Sequence, residues 1–217
     1  NHNGDDGLVS NHGDHSIISG NTITNSSGDG IVIADNYGSE VSGNTITECS
    51  YTGIRVRDSS HNLVESNTAN HNLYGIHIID SSEFNTISKN TANNNQDFGI
   101  YVDACDSNII DQNIANHNGV EGCWISHSDH TIISENTAFN NTGNGIRMND
   151  GVNITCVNNL AYNNLLNGIQ LFGSDDSKVE SNSVYHNGED GIRVLASAVG
   201  NVITENIASF NNLSGIT

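Results

Sequence analysis

Residues 67–89 read NTANHNLYGIHIIDSSEFNTISK, and residues 90–112 read NTANNNQDFGIYVDACDSNIIDQ. Each stretch holds three short runs: N-T-A-x-N, then G-I-x-V/I, then N-x-I. Within each run apolar and polar residues alternate, which is the period of a strand. No helical spacing of apolar residues is found in any window. At about 3.3 Å per strand residue, 23 residues accommodate three strands of about three to five residues with their turns.

Outward from this pair the same text continues in both directions. Asn recurs at 21, 44, 67, 90, 113, 136, 159, 182 and 206, in steps of 23 except for a final step of 24. A fixed period of this size signifies stacked supersecondary units. Each unit is therefore predicted to be one coil of a three-sided solenoid, with every strand paired in parallel to its equivalent about 4.8 Å away. The expected fold is all-β: a single-stranded parallel β-helix of three sheets and about nine coils, forming one domain over 1–217.

Aligned on the period, the columns separate by chemistry. Ile31, Ile54, Ile76, Ile100, Cys123, Ile146, Ile169, Ile192 and Ile216 form one inward column. Others run from Ile33 to Val194, from Val41 to Ile203 and, in small residues, from Ile23 to Ala208. The Asn column has a companion at Asn72, Asn95, Asn118, Asn141, Asn164, Asn187 and Asn211. Asn carries donor and acceptor, so side chains one coil apart are expected to link into ladders that satisfy the bends. A Gly column (Gly30, Gly53, Gly75, Gly99 and onward) opens one strand per coil, which predicts either positive φ or close approach of a neighbour.

This pattern, carried by G-I-x-V and N-T-A-x-N along the whole chain, resembles the right-handed parallel β-helix repeat of pectate-lyase-like enzymes, alginate epimerases and NosD-like surface or periplasmic proteins. The resemblance implies the hand of the helix, and a substrate groove on the sheet that follows the Gly column. It does not imply a reaction.

The formal net charge is −19, with two Lys and four Arg. Such a surface repels nucleic acid and favours a salty medium, Ca²⁺ or simple solubility. No apolar stretch is long enough to span a bilayer, and no signal peptide is visible. The expected location is extracellular or at the cell surface. The chain starts within a coil and stops within a strand at Ser214–Thr217 with no visible end caps, which reads as a segment of a longer protein or a unit whose coil ends stack on neighbours.

Counting outward from the core columns places Arg55, Arg57, His77, Tyr101, Trp124, Arg147, Gln170 and Arg193 on one exterior face. All four Arg and the only Trp fall there. Guanidinium forks pair with carboxylate or sulfate, and aromatic rings offer flat surfaces to sugars, so this face is the candidate site for an acidic polysaccharide. The plainer reading is that Arg and aromatics shield an exposed sheet. His77, Tyr101 and Asp103 are the candidates for proton transfer on a uronate. Arg55 and Arg147, four coils and about 19 Å apart, cannot share one carboxylate. Inverting glycosidases of this fold cluster Asp on the face, whereas Asp103 stands alone in that reading.

Asp35, Asp58 and Asp80 follow the same strand in three consecutive coils, a spacing that suits Ca²⁺, or turns that each Asp caps for itself. Phe139, Tyr162 and Tyr185 are expected to stack, either shielding their sheet or forming a lateral interface or second sugar platform, and Leu63, Thr86, Ile109, Ile132 and Thr155 form a further outward stripe. His71, His117 and His186 share a column with His2, but Asn94, Asn140 and Asn163 interrupt it, which argues against zinc and against a NosD-like copper role. Cys49, Cys105, Cys123 and Cys156 replace column residues and read as buried free thiols. Sequons at Asn25, Asn140, Asn153 and Asn212 read as chance matches in an Asn-rich chain. The sequence thus points first to a structural or adhesive β-solenoid that contacts carbohydrate, with a polysaccharide lyase or C5-epimerase, or a filament subunit, as alternatives.

Overall fold

The computed structural model describes residues 3–195 and 198–217. All regular structure among them is strand, and every pairing is parallel to the equivalent strand of the next coil. Sheet 1 runs in nine strands from Leu8–Asn11 to Ile192–Leu195, and sheet 2 in nine from Ile17–Ser19 to Val202–Thr204. The third wall has two sections, three strands from Thr22–Thr24 to Thr68–Asn70 and five from Ile114–Asn116 to Ile207–Ser209. Single bridges at Thr91, to Thr68 and to Ile114, join the sections.

Register follows the repeat. Ile54, Ile76, Ile100, Cys123 and Ile146 stack as paired residues of sheet 1 and are buried, as are Val64, Ile87, Ile110 and Ile133 in sheet 2. β-Branched side chains fill these walls, where a stiff χ1 suits stacked strands. Both Asn ladders form. Asn67 Nδ2 donates to Asn90 Oδ1 at 3.0 Å and to the Val41 carbonyl at 2.8 Å, while Asn67 N–H donates to the same Asn90 oxygen at 2.9 Å. In the second ladder Asn118 bonds Asn141 in the same way, and Cys49 interrupts it. A third, shorter ladder runs through Asn62, Asn85 and Asn108.

Of the two explanations for the Gly column, close approach is the operative one. A Cβ on Gly99 would stand 2.5 Å from the Gly122 carbonyl oxygen and 2.7 Å from Asn118 Nδ2. Positive φ belongs instead to the corners. One corner column comprises His12, Asp35, Asp58, Asp80, Ala104, His127, Asp150 and Gly173; another comprises Asn25, Glu48, His71, Asn94, His117, Asn140, Asn163, His186 and Phe210. Asp, Asn, His and Gly tolerate this left-handed region best. That accounts for the spacing of His71, His117 and His186 without a metal; His2 lies outside the described residues.

Part of the negative charge serves the turns. Asp14, Asp106, Asp129 and Asp175 each accept a backbone N–H from the next coil at 2.7–2.8 Å.

Candidate functional site on sheet 1

The strand after each Gly turns alternate residues outward. Paired register aligns Val9, Val32, Arg55, His77, Tyr101, Trp124, Arg147, Gln170 and Arg193 in one row. Arg57 and Asp103 belong to the adjacent outward row. The predicted face therefore exists as a continuous ribbon, but its chemistry differs from the expectation in three respects.

First, the rings face each other. His77 and Tyr101 stack with centroids 4.7 Å apart and planes 10° from parallel; Tyr101 and Trp124 do so at 4.7 Å and 13°. That separation equals the spacing of the coils, about 4.8 Å. The faces are spent on one another and only edges point outward, so flat platforms for sugars are absent from this row. Tyr74 and Phe98 form a second stack alongside, 5.5 Å apart and 8° from parallel, and meet the first edge-on. Arg147 closes the first stack over Trp124.

Second, three of the four guanidiniums already have carboxylates. Arg55 pairs with Asp29 at 3.0 Å, Arg147 with Glu121 at 3.4 Å, and Arg193 with Glu189 at 3.0 Å and Asp190 at 3.6 Å. Asp29, Glu121 and Asp190 all immediately precede the Gly column and are buried. Burial raises the Asp29 carboxyl above its ordinary value, with the nearby Arg55 pulling the other way. Arg57 alone among the four is exposed and has no carboxylate within pairing distance among the described residues.

Third, the row holds buried polar atoms that no protein group satisfies. The buried side-chain polar atoms without a partner, among the described residues, are His77 Nδ1 and Nε2, Trp124 Nε1 and Arg147 Nε. All four lie in this row, where an orphaned polar atom costs about 1–3 kcal/mol. Burial, followed by the charge of Arg55, lowers the His77 pKa to about 4. His77 is thus a neutral, covered imidazole, only 6% exposed, and not an accessible base. Burial also raises the Tyr101 phenol, and Asp103 adds to the shift, so Tyr101 stays protonated.

A group that sequence reasoning missed sits at the margin. His127 Nδ1 is 3.7 Å from Asp103 Oδ1 and His127 Nε2 is 3.8 Å from Asp150 Oδ2. Ser126 Oγ lies 2.8 Å from His127 Nδ1, and Asn149 Nδ2 donates to Asp150 at 2.7 Å. Asp103 therefore has acidic and basic company. Extending the Asp35, Asp58, Asp80 column downstream by the period would have reached Ala104, His127 and Asp150. Those three aspartates themselves stand at left-handed corners. Among the described residues no three acid, His or Cys side chains converge where a metal ion could sit. The Asp35 and Asp58 N–H groups join the coil-to-coil backbone ladder.

The other outward features align as expected. Phe139, Tyr162 and Tyr185 stack at 4.8 and 5.2 Å. Leu63, Thr86, Ile109, Ile132 and Thr155 form one paired row, with Ile109 and Ile132 exposed. All four cysteines are buried and free, and burial pushes the Cys105 and Cys123 thiols up to about 12.

Comparison with known proteins agrees with this architecture. The family described as "Right handed beta helix region" matches residues 1–138, and that described as "Periplasmic copper-binding protein (NosD)" matches 82–216. No curated protein matches. Solved structures similar in fold include the periplasmic alginate epimerase AlgG, with TM-score 0.73 and 19% identity, covering 86% of this chain and 54% of that one. The AlgE4 A-module, a mannuronan C-5 epimerase of Azotobacter vinelandii, has TM-score 0.73 and 15% identity, covering 93% and 64%. The Dettilon tailspike protein has TM-score 0.77 and 16% identity, covering 99% and 60%. At these identities the likeness is one of fold, and this chain spans little more than half of AlgG. The donor set does not fit a copper centre: among the described residues no three His, Cys or acid side chains converge, the His residues of the corner column are separated by Asn, and the thiols are buried, which raises their pKa values.

Proposed function

Because the chain belongs to the right-handed β-helix family and, over residues 82–216, to the NosD family, we propose that it is a β-solenoid that contacts a polysaccharide along sheet 1. The observation that carries this reading is the alignment of half-exposed Arg55, Tyr101, Trp124, Arg147, Gln170 and Arg193 in one paired row of sheet 1. A ribbon of ring edges, amides and guanidiniums recognises hydroxyl groups by hydrogen bonds, repeated about every 4.8 Å. It binds an extended glycan by repetition and needs no deep cleft. Polysaccharide-acting proteins among the structural neighbours support the same class of partner. The periplasmic description of the NosD family supports a location outside the cytoplasm.

Affinity electrophoresis against polygalacturonate, alginate and a neutral galactan tests it. Retardation is expected, weakened by Trp124→Phe, which keeps the stack but shortens the exposed ring edge, and by Gln170→Ala. Unretarded migration in all three, or retardation indifferent to both substitutions, overturns the reading.

A second reading rests on the margin group. Tyr101 held protonated, Asp103, and His127 between two carboxylates supply a proton donor and an acceptor, and Arg147 Nη2 reaches Asn149, which bonds Asp150, at 3.4 Å. This is the inventory for removing and returning the proton α to a uronate carboxylate, the chemistry of a lyase or C5-epimerase. Exchange of that proton with deuterated solvent, followed by NMR on alginate and polygalacturonate, is the test. Loss of exchange in His127→Ala but not in His77→Phe locates it, and absence of exchange in the unsubstituted protein rejects it.

A further inference from the structure

At the first two coils the row changes from rings and guanidiniums to Val9 and Val32. Short side chains lower the floor there, and a pocket of about 340 Å³ opens over the two valines, walled by Asp5, Asp6, Asp29, Tyr51, Arg55 and Arg57. That volume is at the small end of ligand clefts, about 300–1,000 Å³.

Its charges are not equivalent. Asp29 is taken by Arg55 at 3.0 Å and by the Thr52 N–H at 2.8 Å. Asp6 accepts the Asp29 N–H at 2.7 Å. These three side chains hold the wall together. Two others keep their capacity among the described residues: Arg57 is exposed and unpaired, and the Asp5 carboxylate is exposed and accepts no hydrogen bond. Tyr51 completes the wall at 54% exposure, and no other ring lies against it among the described residues. The flat apolar surface that is missing from the stacked row is present here.

We propose that this pocket is an anion-selective sugar subsite, taking one sugar residue that bears an oxyanion, either carboxylate or sulfate. The oxyanion pairs with the planar fork of Arg57, which suits bidentate recognition. A ring hydroxyl donates to Asp5, and the sugar face lies on Tyr51. This deepens the carbohydrate reading and rests on it, assigning selectivity for charge to Arg57 and leaving the row indifferent to charge.

NMR titration of the whole chain with galacturonate, galactose 6-sulfate and galactose tests the assignment, read at the Arg57 side-chain N–H and the Tyr51 ring. At least one anionic sugar is expected to shift both signals with an affinity ten-fold or more above that of galactose. Which anion does so identifies the carboxylate or the sulfate. Arg57→Gln should abolish the difference, whereas Asp5→Asn, which keeps an acceptor and removes a like charge, should preserve or strengthen anion binding. Equal binding of galactose, or anion binding unaffected by Arg57→Gln, overturns the proposal. Silent pocket signals beside polymer binding sensitive to Trp124→Phe overturn the subsite and leave the row standing. Pocket binding without any polymer retardation rejects the row instead.

Discussion

The guanidinium carbon of Arg147 sits 5.4 Å from the ring centroid of Trp124, while its Nη1 reaches back to Glu121 of the preceding coil at 3.4 Å. One side chain thus caps the aromatic stack and neutralises a buried carboxylate. Similar couplings connect other sequence columns, and each makes a measurable difference.

Removing Arg147 leaves Glu121 buried without its cation. Breaking a buried pair costs about 3–5 kcal/mol, and the partial exposure of Arg147 reduces this to about 2 kcal/mol. Arg147→Gln should lower the urea midpoint clearly, and adding Glu121→Gln should restore part of the loss. Additive effects in the four-protein cycle would show that the two residues are not coupled.

His77 makes stability depend on pH. Its pKa is lowered from 6.5 to about 4 in the fold. Between these values the unfolded chain takes up a proton that the folded chain refuses. Stability is therefore complete above the unfolded value and falls as pH drops from 6.5 towards 4, by up to about 3 kcal/mol at about 1.4 kcal/mol per unit. His77→Phe keeps a ring in the stack and removes both orphaned nitrogens, so it should flatten this limb and raise the melting temperature. An unchanged slope in the variant would contradict the assignment.

Two glycines should respond differently to Ala. At Gly99 a Cβ meets the neighbouring coil's backbone, and overpacking of this kind costs about 1–3 kcal/mol or more. At Gly43, φ is +62° with nothing within 4 Å of a Cβ. There the cost is only that of left-handed backbone, about 1–2 kcal/mol. Denaturation should rank Gly99→Ala below Gly43→Ala, and the reverse order would place the crowding elsewhere.

Cys49 interrupts an Asn ladder in which Asn72 Oδ1 accepts its N–H at 2.9 Å. Cys49→Asn replaces a thiol with the amide that the column uses and should add about 1 kcal/mol. A loss of stability would mean that the smaller Ser26 above it leaves the new amide without a partner.

The core and ladders were legible because both consist of identical residues at one spacing. Ile54 over Ile76 and Asn67 beside Asn90 are statements about position i and its equivalent one coil later. The column holding Asp6, Asp29, Glu121 and Asp190 was not legible. Its identities vary from coil to coil, and alternation counted back from Ile31 points Asp29 inward. The chain bends at Gly30 and turns Asp29 to the outer face, where Arg55 meets it. His127 escaped notice because its column mixes Asp, Ala, His and Gly, which have in common only a backbone angle.

By itself the sequence determined the coil, the register, the contents of the interior and the face on which the arginines and Trp124 gather. Periodicity suffices for these, since parallel stacking makes each residue its own equivalent's neighbour. The tertiary structure decided how that face is used. Asp29 and Arg55, like Glu121 and Arg147, are 26 positions apart, one coil plus three residues, and such diagonal contacts depend on the bend at the Gly column and on rotamers. Ring orientation followed from the same geometry: coils spaced by the thickness of an aromatic stack turn His77, Tyr101 and Trp124 towards each other.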